Sequence, residues 1–414
     1  MRVLISGAGV AGPTLAWFLA KTNARITIIE KSHALLHHGQ NVDLKGSAVT
    51  VVKKMGLFDQ IKRFNTTEKG TQFVDLDGKP FAPFSIEKGS SASLTSEFEI
   101  LRGDLAAILY EATKDLPNVD YLFGTTVKEV TSNNETVKVQ LSNGEAQEFD
   151  LLVAADGQWS KVRKQCFLPE QVESVHLGMY AVYYTVPRIP IDNDWWNIYL
   201  ALGSRTVSLR PDPHGTTRAM FSYMPSKTRA AAWLEASKSD RKTQEKLLRQ
   251  EFADSGWQTQ RLLDAMDQAP DFYFHVIQQI RMTKWSTSRV VCLGDAAYAP
   301  SPTAGGGTSL AIIGAYILAG ELSKIDDGEH PSKAFEAYEN TFRPHVEETQ
   351  KIPPFLPGLV HPKTAWKRWL LETFLWVLSK VVAVPWIVKR LGENKHEEDF
   401  DLPKYPSFDD EGLM

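Results

Sequence analysis

Three clusters in this chain set glycine or a carboxylate where a nucleotide could be held. The first is Gly7-Ala8-Gly9-Val10-Ala11-Gly12, directly after the apolar run Val3-Leu4-Ile5-Ser6. In a GxGxxG turn the first glycine permits the reversal and the second lets backbone approach a pyrophosphate. The third lets the helix pack close to the strand, and the helix N-terminus offers free N–H groups and its positive dipole end. The run Ile26-Thr27-Ile28-Ile29 then ends in Glu30, about 20 residues on, where a carboxylate can bind ribose hydroxyls. The second cluster is Asp156-Gly157, after Leu151–Ala154, with Ser160 and Arg163 behind it. The third is Gly294-Asp295-Ala296-Ala297, after Val290–Leu293 and ahead of Gly305-Gly306-Gly307. Each acid follows a strand's C-terminal end, where open α/β sheets bind ligands. Asp295 could hold a sugar hydroxyl, and the N–H groups at Gly305 to Thr308 an anionic or carbonyl group.

The elements that must carry these clusters follow from apolar spacing. Pro13 opens a helix with Leu15, Phe18 and Leu19 at helical spacing. Strands are expected at 41–44, 73–77, 119–123, 126–131, 136–141 and 148–154, with turns at Asp77-Gly78 and Asn143-Gly144. From Val175 to about Met224 the pattern becomes long alternating strands, followed by a helix at 240–252 and a strand at 272–278. Helices at about 308–322 and 332–349 close the chain's return to its first domain. The expected fold is α/β (α+β): a Rossmann-like nucleotide-binding domain with an inserted, mostly antiparallel β-sheet substrate domain and a C-terminal helical segment. Residues 1–72, 101–174 and 286–350 would form the first domain, 73–100 and 175–285 the inserted one. Residues 351–392 would be the helical segment and 393–414 an acidic tail.

The 414 residues, 43% hydrophobic and 23% charged, read as an ordinary globular chain. A net charge of −4 leaves no basic footprint for nucleic acid. Two cysteines, Cys166 and Cys292, make neither a disulfide framework nor a zinc site, so a reducing cytoplasmic compartment is expected, with no signal peptide and no transmembrane span. His33, His37 and His38 share one loop, but without a patterned ligand set no metal is expected. Residues 366–391 are rich in Trp, Leu and Val but interrupted by Glu372, Lys380 and Pro385. They read as a helix bridging the domains, with a solvated tail behind; the alternative is weak membrane contact by a basic amphipathic helix.

Over roughly residues 1 to 350 the sequence resembles the single-component FAD-dependent aromatic hydroxylases of the p-hydroxybenzoate hydroxylase fold. It is nearest to the tetracycline-modifying and fungal natural-product monooxygenases. Asp156-Gly157 and Gly294-Asp295, in this order, carry the resemblance more specifically than GxGxxG does. The resemblance implies that Gly7, Gly9, Val10, Ala11 and Gly12 hold the FAD pyrophosphate, with Glu30 and the adjoining Lys31 at the adenosine ribose. It places Asp43 and Arg102 on the flavin, Asp156-Gly157 at the pyrophosphates, and Gly294-Asp295 at the ribityl chain. Pro302, Gly305 and Gly306 would lie along the isoalloxazine. The chain departs from the family at Tyr298, where His is frequent, and at Gly314, where relatives carry an acid. No arginine stands in Ser32–Gln40, upstream of Asp43-Leu44.

The implied function is a monooxygenase using FAD, NADPH or NADH as a visiting co-substrate, and O2. It would pass one oxygen from a flavin C4a-hydroperoxide to an aromatic or polycyclic natural-product-like molecule. A second GxGxxG unit is absent, as fits a transient nicotinamide. Such chemistry asks the protein for a dry site and a positioned substrate rather than a catalytic dyad, and no catalytic side chain is assigned. Tyr180, Tyr183, Tyr184, Tyr199, Tyr223, Trp195, Trp196 and Arg210 are candidates for the substrate wall. A flavin oxidase, an epoxidase, a Baeyer–Villiger enzyme or a non-catalytic nucleotide-binding protein remain open, and a monomer is expected.

Overall fold

The computed structural model describes residues 1–35, 39–66, 68–86, 98–326, 328–353, 356–383 and 400–408. Its central sheet runs in the order Ser286–Thr287, Val290–Cys292, Leu151–Ala154, Arg2–Ser6, Arg25–Glu30, Val119–Phe123. All neighbours are parallel except the Ser286–Thr287 edge. Parallel strands are covered on both faces, so they must be apolar throughout. Val3, Leu4, Ile5 and Leu151–Ala154 are fully buried. Helices Ala11–Leu19 and Gly307–Leu322 cover one side and meet at Gly294, where a Cβ would lie 3.2 Å from that of Ala11 and 3.5 Å from that of Ala311.

A second, seven-stranded sheet has the order Tyr273–Met282, Val172–Pro187, Thr216–Tyr223, Arg205–Pro211, Trp196–Ala201, Gly70–Val74, Pro80–Ser85. It is antiparallel except where Trp196–Ala201 meets Gly70–Val74. Helices Lys227–Ala236, Arg241–Phe252 and Thr259–Ala265 cover one of its faces, filled by Tyr180, Tyr184, Tyr199, Phe221 and Tyr223. Asp240 caps the middle helix, accepting the Thr243 N–H at 2.8 Å.

Several expectations shift. The single strand 148–154 is two strands: Ala146–Phe149 closes a three-stranded sheet with Val127–Ser132 and Val137–Leu141, and Leu151–Ala154 enters the central sheet. Asp150 forms the corner, its carboxylate accepting the Arg2 N–H at 2.6 Å. The strand expected at 73–77 is Gly70–Val74, because the Asp75 carboxylate accepts the N–H groups of Asp77 and Lys79 and turns the chain earlier.

The C-terminal part departs furthest. Helix Ala365–Val382 does not bridge the domains. Leu371, Leu375 and Leu378 pack on Phe73, Ala82 and Phe84 at the outer end of the seven-stranded sheet. The expected solvated tail returns to the first domain within its described part, 400–408. Tyr405 and Phe408 are buried in the main core, and the Tyr405 hydroxyl donates to Glu321 at 2.8 Å. Three aromatics in this stretch, Phe400, Tyr405 and Phe408, outweigh its charge. Residues 384–399 and 409–414, and with them most of the acidic stretch, lie outside the described residues, as do His37 and His38.

The two departures from the family pattern are one feature. A Cβ on Gly314 would lie 2.1 Å from the Tyr298 hydroxyl oxygen, which accepts a hydrogen bond from Tyr338 at 2.9 Å. The tyrosine thus occupies the space a side chain at 314 would need. Alanine normally stabilises a helix interior by about 1 kcal/mol over glycine. Here Gly314→Ala is expected to destabilise by about 1–3 kcal/mol through overpacking. Gly314→Ala/Tyr298→Phe should recover much of that loss. Thermal unfolding of both variants checks this; a Gly314→Ala protein as stable as the parent would contradict it.

Candidate active site

The three turns read from the sequence lie in one row. Gly294-Asp295, Asp156-Gly157 and Gly7–Gly12 follow three adjacent parallel strands, and Glu30 ends the next. At the first turn, Gly7 has φ +118° and its Cβ would strike the Ala155 carbonyl at 2.4 Å. A Cβ on Gly12 would lie 2.1 Å from the Gly7 oxygen, so only glycine lets the helix seat this close. Gly9 differs: its Cβ would meet no atom within 4 Å. Val10 stands at the N-cap, Ala11 opens the helix, and no side chain caps it. The Glu30 carboxylate accepts the N–H groups of Ala8 at 3.1 Å and Ser32 at 3.0 Å, while Lys31 is exposed.

At the second turn the Asp156 Oδ2 accepts the Lys161 N–H at 2.8 Å. Its Oδ1 is buried without a partner, and burial pushes the carboxyl above its ordinary range. Arg163, which the sequence placed nearby, is structural. It donates to the carbonyls of Ala296 at 2.7 Å and Gln158 at 2.5 Å and pins the second turn to the third. The Asp295 side chain is open to solvent at the third turn; desolvation by the protein around it raises its carboxyl, while Arg102 and Arg163 oppose that. Pro302 begins a 3-10 turn behind Ser301, a non-glycine residue with φ +81° whose hydroxyl accepts the Thr303 N–H. Such backbone strain concentrates at functional sites. Gly305 is left-handed at φ +68°, and Gly306 precedes the uncapped helix Gly307–Leu322.

Asp43 lies opposite Glu99 in a short antiparallel ladder, Asn41–Asp43 with Glu99–Leu101. Its Oδ1 is also buried without a partner, and a Cβ on Gly305 would lie 4.0 Å from its Oδ2. Arg102 opens the helix after that ladder and acts electrostatically on Asp295, Tyr273 and His275. The orphaned oxygens of Asp43 and Asp156, and the open space at Gly9, fit a polar group bound along the row.

Strand pairing decides which face of the seven-stranded sheet looks at this row. Tyr183 lies opposite Met220 and Tyr273, His275 opposite Ala181, and Met220 opposite Ser208. These residues share one face, since side chains alternate. Of the tyrosines expected on the substrate wall, only Tyr183 lies on the sheet face toward the turns. Tyr180, Tyr184, Tyr199 and Tyr223 belong to the opposite core, and the Tyr184 hydroxyl donates to the Leu262 carbonyl. Trp195 lines a separate hollow of about 310 Å3 at the sheet rim, with Asn197 and Trp257, away from the glycine turns. Sequence reasoning missed Tyr273 and His275. Their signal was the alternation of Tyr273, His275 and Ile277 in a strand already expected. Burial pushes the His275 imidazole down to about 4, with Arg102 adding, so it is neutral at pH 7.

Arg210 joins this wall to the Asp43 ladder. Its guanidinium binds Glu68 at 2.9 and 3.2 Å and Glu99 at 2.5 Å, and lies 4.1 Å from the Trp196 ring centre. Glu68 and Glu99 are buried, and Thr66 donates to Glu99 at 3.0 Å. Sequence reading named Arg210 but not its carboxylates. Burial pushes Glu99 up to about 7; Arg210 opposes this, and Glu68 and Asp43 add to it. A carboxyl raised in the folded state favours folding while protonated. The contribution is present below pH about 4.5 and is lost as pH rises through about 7. Urea unfolding of the parent and Glu99→Gln at pH 5 and at pH 8 reads it out. The parent should lose stability relative to the variant at the higher pH, and a parallel response of the two would contradict a raised Glu99.

The family model described as an FAD binding domain matches residues 1–351. The chain is 35% identical over 415 residues to a monooxygenase of Cercospora beticola, CTB7, covering 98% of this chain and 97% of that one. Among solved structures it matches the tetracycline destructase Tet(55) with a TM-score of 0.77 and 29% identity, covering 97% and 98% of the two chains. The fold is shared with Klebsiella pneumoniae HpxO, solved with FAD and uric acid, at a TM-score of 0.68 and 21% identity. The chain belongs to the FAD-binding-domain family of flavin-dependent monooxygenases and is an FAD-dependent oxidoreductase.

Proposed function

We propose that the protein uses NADPH or NADH and O2 to insert one oxygen atom into an aromatic or polycyclic small molecule, held between the cofactor and the inserted sheet. The observation that carries this reading is the row of turns at adjacent strand ends, with unpartnered oxygens on Asp43 and Asp156. Gly9, Val10, Ala11 and Gly12 would take the FAD pyrophosphate at the uncapped helix. Glu30 with Lys31 would take the adenosine ribose, and Gly294 and Asp295 the ribityl chain. Asp156-Gly157 would approach the pyrophosphates. Asp43, Arg102, Pro302, Gly305 and Gly306 would surround the flavin ring. When bound, FAD supplies the electron transfer and oxygen activation.

The protein's own part is binding, orientation and exclusion of water. Tyr183 keeps its proton, because burial raises its phenol, and so can donate to a substrate oxygen. Neutral His275 offers ring nitrogens without adding charge. Arg210 is already neutralised by Glu68 and Glu99, so the wall favours an uncharged aromatic over an anion. On this reading the seven-stranded sheet is the substrate domain.

Two measurements test the reading. The visible spectrum of the purified protein should be that of oxidised flavin, bleach on addition of NADPH or NADH, and recover in air. A protein that takes up no FAD would overturn it. Gly9→Val should leave the apoprotein's thermal stability unchanged, since its Cβ has open space, yet lower FAD affinity at least about tenfold by closing the pyrophosphate approach. Unchanged FAD titration by the variant would remove Gly9 from the site.

A further inference from the structure

Helix Ala365–Val382 buries one face and, among the described residues, leaves the other uncovered. Leu371, Leu375 and Leu378 point to the sheet. Trp366, Trp369 and Phe374 are 62%, 65% and 60% exposed, and Leu370, Trp376 and Val377 are about half exposed. These positions fall at i, i+3, i+4, i+8, i+10 and i+11, which is one stripe of a helix. A contiguous apolar surface of this kind marks a docking site rather than scattered exposure.

The charge around the stripe selects its occupant. Lys363, Lys367 and Lys380 are exposed. The helix's single acid, Glu372, is set back and paired with Arg368 at 3.5 Å. Of the helix's own residues, the outward face therefore carries aromatic, aliphatic and cationic groups and no carboxylate. A two-fold contact with a second copy would set lysines against lysines. An anionic lipid surface meets both halves of this chemistry: tryptophan rings sit at the headgroup level, and lysines reach anionic headgroups. Among the described residues no helix is long and apolar enough to cross a membrane, so the contact lies in the membrane plane.

We propose that the Trp366–Trp369–Phe374 face, with Lys367 and Lys380, docks the enzyme onto anionic lipid surfaces. The proposal is independent of the reaction assigned above. It places the inserted sheet against the bilayer, since this helix lies on that sheet's outer end.

Co-sedimentation of the FAD-loaded full chain with vesicles tests it. Phosphatidylcholine alone is compared with phosphatidylcholine containing about a quarter phosphatidylserine. Binding is expected to the anionic vesicles, with a blue-shifted tryptophan emission, and should weaken as salt rises. Lys367→Glu/Lys380→Glu should lower binding at least about tenfold, and Trp366→Ser/Trp369→Ser/Phe374→Ser should abolish it. Both variants alter exposed positions, so flavin content and melting temperature should stay at the parent's values, which separates this test from the enzyme reading. A parent chain that binds neither vesicle overturns the proposal. In that case, a dimer in light scattering that the triple variant makes monomeric assigns the face to a second copy. A monomer assigns it to cover by the chain's own residues. Equal binding to both vesicles, insensitive to salt and to the lysine reversals, also overturns the anionic selection.

Discussion

The contact between Gly12 and the Gly7 carbonyl governs the molecule. Without a side chain at 12 the first helix seats directly on the turn after the first strand, and no side chain caps its N-terminus. A parallel sheet places all its C-terminal turns on one edge. Once the first turn is fixed there, Asp156 and Asp295 follow on neighbouring strands, and Arg163 ties their two turns together. The seal at Gly294, against Ala11 and Ala311, brings the second helix start to the same edge.

The second sheet supplies the opposite wall, and its electrostatics are arranged to be nearly silent. His275 is neutral by burial, and Tyr183 holds its proton. Arg210 is matched by two buried carboxylates, one of which takes up a proton near neutrality. A buried guanidinium left with one carboxylate too many must share a proton, because burying the excess charge costs more. The result is a rigid polar link between the seven-stranded sheet and the Asp43 ladder. It gives the cleft shape and hydrogen-bonding capacity without a strong field.

Much of this was legible in the sequence for specific reasons. Unbroken apolar runs announced the parallel strands, because both of their faces are covered. The alternating stretch after Val175 announced the antiparallel sheet. Strand limits slipped where a side chain turned the chain, as Asp75 and Asp150 do, because apolar patterning does not register such hydrogen bonds. In its described part, 400–408, the tail packs on the core through Phe400, Tyr405 and Phe408, which charge alone does not announce.

By itself the sequence determined which glycines and acids stand at the turns of one sheet edge. Glycine where only glycine fits, and acids just after apolar runs, are local requirements of local backbone geometry. The sequence reading put Tyr183 and Tyr184 on one wall, although adjacent side chains of a strand face opposite ways. Only the tertiary structure decided which way is inward to the cleft, because that depends on which sheet face three helices cover. It alone paired Tyr298 with Gly314 and gathered Glu68, Glu99 and Arg210 from three separate strands or loops. These are contacts between residues far apart in the chain, and no periodicity encodes them.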